Sequence, residues 1–208
     1  MTLATENPAP RAAAAVLQLK SMNILIVGVG GQGVLLASAI LSEVALLAGY
    51  DVKKSEVHGM SQRGGVVSSH VRLGTVVHSP VIPNGAADVI LAFEKAEALR
   101  WVHELKAGGF LIVNDQKLVP PIAVDPKYVY PDDALELLQG RAERLRVLNA
   151  AAIARKLGNE RLANTVLLGA LSTGLDIDLD LWRQVISRRV PKGTAEANLK
   201  AFEAGRNQ

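Results

Sequence analysis

Residues 22–27 are apolar except for Asn23 and show no alternation, the pattern of a parallel strand covered on both faces. Residues 34–48 follow with helical spacing, and their polar positions are only Ser38, Ser42 and Glu43. So narrow a wet stripe predicts a helix buried on more than one side, by the sheet and by neighbouring helices or another chain. Gly49 suits a left-handed C-cap. Residues 51–57 and 66–73 read as strands. On the second, Ser68, His70 and Arg72 share one face, and Val67, Ser69, Val71 and Leu73 the other. Gly74 then predicts a hairpin onto residues 75–79, and Pro80, Pro83, Asn84 and Gly85 mark a loop.

Residues 88–93 predict a strand, 94–105 a helix closed by Gly108-Gly109, and 110–114 the next strand. The stretch 116–131 is proline-punctuated, with a short strand expected at 128–130. Asp132 or Asp133 caps a short helix ending at 139, residues 146–148 form a last strand, and Asn149 caps a helix over 150–157. Beyond Asn159 the pattern is helical: 165–172 apolar, 179–190 amphipathic around Trp182, and 194–204 after Pro191. Strands alternating with helices predict an α/β fold, three-layered and Rossmann-like. Its sheet is expected to be mostly parallel, with an inserted hairpin and a C-terminal helical subregion. Residues 1–20 read as an N-terminal extension, disordered at least to Pro10, and 21–208 as a single α/β domain.

Forty-nine per cent of the 208 residues are apolar but only 4% aromatic, so Leu, Val, Ile and Ala must build the core. The net charge of +3 is scattered, and no Lys/Arg cluster is interleaved with aromatics, which argues against nucleic acid as a partner. There is no cysteine, so this chain supplies no disulfide, no zinc–thiolate site and no thiolate ligand for an iron–sulfur cluster. No apolar run approaches the roughly 18–20 residues of a membrane span, and the patch at 12–17 is too short for a secretory signal. A cytoplasmic protein is expected.

Two glycine loops carry the candidate chemistry. Gly28-Val29-Gly30-Gly31-Gln32-Gly33 stands between the first strand and the first helix. In that context Gly28 permits the tight turn, Gly30 the approach of a ligand to the backbone, and Gly33 close helix–strand packing. Free N–H groups at the helix start would favour an anion. The same loop is also compatible with a turn used only for packing or for docking another chain. A dinucleotide site would want an acid about 20 residues on. Glu56 is near that distance and Asp51 is early, but Lys53-Lys54 intervene and NAD is not favoured. In the second loop, His58-Gly59-Met60-Ser61-Gln62-Arg63-Gly64-Gly65, an arginine held among glycines suits bidentate recognition of carboxylate or phosphate, or is an ordinary surface turn. His58, His70, His78 and His103 show no metal spacing. Glu94-Lys95 sits at a strand end but also reads as a routine helix start, and Arg188-Arg189 complements a helix C-terminus.

The run 28–33, the run 56–65 (Glu-Val-His-Gly-Met-Ser-Gln-Arg-Gly-Gly) and Ser69-His70-Val71-Arg72 together resemble the gamma-type domain of the 2-oxoacid:ferredoxin oxidoreductase family. The runs 87–94 (Ala-Asp-Val-Ile-Leu-Ala-Phe-Glu) and 164–171 (Asn-Thr-Val-Leu-Leu-Gly-Ala-Leu) narrow this to the branch acting on indolepyruvate, as do Val190-Pro191-Lys192 and 198–205. The resemblance covers about residues 22–206. It implies oxidative decarboxylation of a 2-oxoacid, here an aryl pyruvate, to its acyl-CoA, with electrons passing to ferredoxin. Thiamine diphosphate, magnesium and iron–sulfur clusters are then expected in a larger alpha subunit. This chain has no cysteine and no Gly-Asp-Gly followed by paired Asn, so it is expected to hold none of them. No catalytic residue and no metal ligand is expected here. The residues expected to bind ligand or face the active site are Gly28, Gly30, Gly31, Gln32, Gly33, His58, Gly59, Ser61, Gln62, Arg63, Gly64 and Gly65, with CoA near the interface. Two alternatives stand beside this: a free-standing nucleotide-binding protein, NAD-dependent or adenylating, and an assembly module with a vestigial site.

Overall fold

The computed structural model describes residues 20–58, 65–119 and 129–208. Six strands form one sheet: β1 (Met22–Val29), β2 (Asp51–His58), β3 (Val66–Gly74), β4 (Ala87–Ala92), β5 (Leu105–Asn114) and β6 (Arg144–Leu148), in the order β2-β3-β1-β4-β5-β6. The pairs β1–β4, β4–β5 and β5–β6 are parallel, while β3 runs antiparallel to both β1 and β2. Only β3 opposes the other five.

The helices are α1 (Val34–Leu47), α2 (Lys95–Trp101), α3 (Ala134–Gln139), α4 (Ala150–Lys156), α5 (Ala163–Ser172), α6 (Leu179–Arg189) and α7 (Ala195–Arg206). The central strand feeds two cores. Ile24 and Ile26 join the larger one, with residues of α1, α5, α6 and α7, whereas Leu25 and Val27 join the smaller one against α2 and α3. Alternate side chains of one strand thus reach opposite layers, which is why its sequence is apolar without alternation. The three-layer α/β expectation holds.

The apolar α1 is covered by the sheet on one side and by helices on the other: Glu43 of α1 accepts from both Arg188 and Arg189 of α6. The arginine pair therefore joins two helices besides complementing a helix end. Trp182 of α6 stacks on Phe202 of α7 with centroids 5.6 Å apart, and α5 and α7 touch backbone to backbone at Gly169 and Gly205.

Three local expectations are corrected. Residues 75–79 form no strand. Both edges of β3 are occupied, by β1 and by β2, so no edge is left for them. The hairpin is instead β2–β3. The helix after β4 ends at Trp101 with one 3-10 turn at Val102–Glu104, and Gly108-Gly109 belongs to β5, where the pairing with β4 loses register. Val129 and Tyr130 are not strand, and residue 128 is outside the described residues. Tyr130 instead turns its hydroxyl to the buried Glu94. The expectation for the N-terminal extension falls on residues that, up to 19, also lie outside the described set.

Local capping follows the sequence at Gly49, Asn149 and Glu94, whereas Asp133 stands at the N-cap of α3 without a side-chain capping bond. Gly49 has φ 90°, the Asn149 carboxamide accepts from the Ala152 N–H, and Glu94 accepts from the Glu97 N–H at 2.9 Å. Glu97 is itself 3% exposed, taking bonds from Arg100 Nε and Trp101 Nε1. Burial pushes its carboxyl above the usual carboxylate range, against the opposing pull of Arg100. The folded state then holds this proton more tightly than the unfolded chain, so stability falls as pH rises from the usual carboxylate range toward neutrality. Melting curves of the protein and of Glu97→Gln should therefore diverge with pH in the variant's favour. A Tm difference that is the same at every pH would sink this.

Candidate functional site

The glycine loop leaves β1 at the carboxyl ends of the parallel strands, where doubly wound sheets place ligands. Gly28 is packed so closely that a Cβ there would lie 2.8 Å from Phe93 Cβ and 2.9 Å from Gln32 Oε1. Gly31 and Gly33 adopt φ 98° and 89°, the left-handed region that favours glycine. Gly33 is the N-cap of α1 with no side chain to cap it, so the opening N–H groups of the helix have no acceptor within the helix. A Cβ on Gly33 would meet Asn164 Nδ2 at 3.0 Å.

The two loops singled out by sequence meet. The Gly30 N–H donates to the Gly65 carbonyl at 2.8 Å. In the sheet register Val29 stands opposite Val66, and His58 opposite Val67, so both ends of the second loop are held beside the first. Gly59, Ser61, Gln62, Arg63 and Gly64 lie outside the described residues.

Behind the loop, side-chain amides tie the strand ends together. Gln32 Oε1 accepts from the Val29 N–H at 2.7 Å, and its Nε2 donates to the Phe93 carbonyl at 2.9 Å and to Gln116 Oε1 at 3.2 Å. Asn114, at the end of β5, donates to the same two oxygens at 3.0 Å each. Its own Oδ1 accepts from the Ala150 N–H, at the start of α4. These amides form part of the floor of a cleft of about 470 Å³, closed on the far side by Asn164, Glu160 and Arg161. A second, more apolar cleft of about 350 Å³ flanks the loop between Val34, Leu35 and Val67. In the larger cleft the Glu160 carboxylate is paired with Arg155, so the Arg161 guanidinium beside it is the group there suited to an anion, while the first residues of α1, Val34 and Leu35, line the smaller cleft.

The geometry weighs against a dinucleotide. Glu56 faces α1 rather than a ribose position, taking bonds from Ser38 Oγ at 2.9 Å and Lys54 Nζ at 2.7 Å. The Val29 and Gly30 N–H groups that could face a pyrophosphate are already bonded inside the protein. Among the histidines, burial pushes His70 down, and its Nδ1 faces the Ile82 N–H at 3.2 Å, while His103 is exposed beside Glu104. Glu94 serves as the N-cap of α2, the routine role that sequence suggested.

Sequence reasoning missed Asn114, Gln116 and Arg161. The signal for the first was available, since a polar residue ending an apolar strand sits where such folds bind. Arg161 belongs to no motif, and only the fold brings it opposite Gly30–Gly33.

Comparison with known proteins gives a consistent outcome. The sequence profile of the family described as pyruvate ferredoxin/flavodoxin oxidoreductase matches residues 23–208. The chain is 41% identical to the indolepyruvate oxidoreductase subunit IorB of Thermococcus kodakarensis, over 90% of this chain and 95% of that one. It is 31% identical to the 2-oxoglutarate synthase subunit KorC of Methanothermobacter marburgensis, over 88% and 94%. Among solved structures it resembles the pyruvate oxidoreductase subunit PORC of Thermotoga maritima, with TM-score 0.69 and 25% identity over 91% of this chain and 97% of that one.

Proposed function

Because the chain belongs to the pyruvate ferredoxin/flavodoxin oxidoreductase family, we propose that it is the small, cofactor-free subunit of a 2-oxoacid:ferredoxin oxidoreductase acting on indolepyruvate and related aryl pyruvates. The enzyme would decarboxylate the 2-oxoacid oxidatively, form the acyl-CoA and pass the electrons to ferredoxin. Support for the substrate comes from the indolepyruvate oxidoreductase subunits, whose identity to this chain, up to 41%, exceeds that of the 2-oxoglutarate synthase relatives, 27–33%.

The residues present do not fit the family's redox and thiamine cofactors. There is no thiolate for a cluster and no Gly-Asp-Gly with paired Asn for thiamine diphosphate and magnesium. A larger alpha subunit would hold them. Among the described residues no helix is long and apolar enough to cross a membrane, and we place the complex in the cytoplasm.

The observation that carries this chain's own part is the Gly30–Gly65 bond, which holds the ends of both loops at one site beside both clefts. In this reading that end of the domain faces the entrance to the partner's active site, and Arg63 holds the substrate carboxylate or a CoA phosphate. The anion-favouring cleft beside Gly30–Gly33 is the place for the rest of CoA. No observation favours the nucleotide-binding alternative, and the engaged Glu56 speaks against it.

Anaerobic purification of the tagged chain from its host should recover a large, cysteine-rich, thiamine-containing partner. That complex should reduce a dye in the presence of indolepyruvate and CoA. A chain recovered alone, or a complex inactive on every 2-oxoacid tried, would overturn the reading. Arg63→Ala should lower turnover by at least about tenfold while leaving the complex intact, the scale expected for a lost charge-assisted contact. A fully active Arg63→Ala complex would refute its assigned role.

A further inference from the structure

The other end of the sheet, where the parallel strands begin, carries a separate concavity of about 190 Å³. It arises at the irregular pairing of β4 and β5. Ala87 stands opposite Leu105 and Val89 opposite Phe110, so two steps on one strand answer five on the other. The surplus residues bulge outward, with Gly108 at φ 69°. Lys106 of this bulge pairs with Asp88, whose second oxygen accepts from the Asn23 N–H at 2.7 Å. The carboxylate in the cleft is thereby fully engaged.

Two further cations line the same cleft, Lys20 just ahead of β1 and Arg144 at the start of β6. The Arg144 guanidinium lies over the Phe110 ring, 5.0 Å from its centroid. Arg146 lies over the same ring at 5.3 Å, but it donates to Thr173 Oγ1 at 2.8 Å and does not line the cleft. Among the described residues no carboxylate pairs with Lys20 or Arg144. The lining therefore holds three cations and one carboxylate, leaving two positive charges without a counter-ion. Lys20 and Arg144 are both exposed, so solvent screens their mutual repulsion, but the concavity they share with Phe110 offers one anion a position that both can reach.

We propose that this cleft is an anion site for one phosphate group, which Arg144 grips with its planar fork while Lys20 supplies a point charge. The site lies roughly 23 Å along β1 from the glycine loop, at about 3.3 Å per residue. Its occupant bridges the starts of β1, β5 and β6. The phosphate is either free or carried as a monoester on a small metabolite.

The test titrates the full chain at constant ionic strength with inorganic phosphate and separately with glycerol 3-phosphate, reading calorimetric binding and Tm. Saturable binding with Kd of about 1 mM or tighter is expected for at least one of them. Arg144→Gln and Lys20→Gln, both surface substitutions, should each weaken it at least tenfold, whereas Arg183→Gln on α6, whose guanidinium pairs with Asp180 and Glu203, should not. Tighter binding of the monoester would assign the site to a phosphorylated metabolite, and binding of inorganic phosphate alone to the free ion. The proposal is overturned if neither ligand saturates, if binding survives both substitutions, or if Arg183→Gln abolishes it instead.

Discussion

Gly169→Ala should destabilise the protein by about 3 kcal/mol, against a background in which most single substitutions cost less. A Cβ at Gly169 would lie 2.0 Å from the Phe202 carbonyl oxygen and 3.1 Å from the Arg206 nitrogen. The contact is reciprocal, because a Cβ at Gly205 would lie 1.9 Å from the Val166 carbonyl oxygen. Each obstacle is the backbone of the facing helix, which cannot rotate away as a side chain could. Helices α5 and α7 would have to separate by more than an ångström. That movement disturbs Phe202, which is fully buried and stacked on the fully buried Trp182. The gain in helix propensity on replacing glycine, about 1 kcal/mol, does not offset this. Denaturant unfolding of Gly169→Ala, Gly205→Ala and the double variant is the direct measurement. The double variant should lose less than the sum, since one separation of the helices accommodates both methyl groups. Single variants within about 0.5 kcal/mol of the parent would show that the helices slide apart freely.

Asn114→Ala should cost a similar amount, about 3 kcal/mol, and it should also loosen the glycine loop. Asn114 is 1% exposed and its three bonds reach three different segments. Removing the carboxamide leaves the buried Ala150 N–H without an acceptor and takes one of two side-chain donors from the Phe93 carbonyl. Gln116 then loses the neighbour that helps fix its oxygen toward Gln32. Asn114→Asp separates the parts of this account. It keeps the acceptor for Ala150 but points a second acceptor at the Phe93 and Gln116 oxygens, so it should be no better than alanine. Amide hydrogen exchange at Val29 and Ala150 should accelerate in Asn114→Ala beyond the change seen in the rest of β1. Uniform acceleration across the domain would reduce Asn114 to an ordinary core residue.

Much of the fold was legible because its signals are local. The unbroken apolar run at 24–27, the glycine loop and the helical spacing of 34–47 can each be read within one or two turns of chain. So can the caps at Asn149 and Glu94. Where the sequence reading erred, competition was the cause. Residues 75–79 had strand-like composition, but β3 had already given its edges to β1 and β2. Gly108-Gly109 read as a helix stop because glycine pairs usually are, yet here they form a bulge that lets β5 begin five residues before its apolar run. At the site, the motif residues of the first loop could be named from sequence, but the roles of two of them differ from a dinucleotide loop. The Gly30 N–H binds Gly65 rather than lying open, and Gln32 uses its side chain to hold the loop to β4.

The sequence by itself determined the α/β class, the place of the glycine loop between a strand and a helix, and the lack of any thiolate ligand in this chain. It also carried the family's motifs. The tertiary structure alone decided that β3 lies between β1 and β2 and that Arg188 and Arg189 meet Glu43. It alone set α5 against α7 at two glycines, and it alone placed Arg161 opposite the loop. Periodicity and capping depend on neighbours a few residues away. A strand's partner depends on which hydrogen-bonding edges remain free once the others have paired, and close contacts join residues as far apart as Asn114 and Ala150 or Glu43 and Arg189. Such choices are made by competition across the whole chain, and no local pattern encodes their outcome.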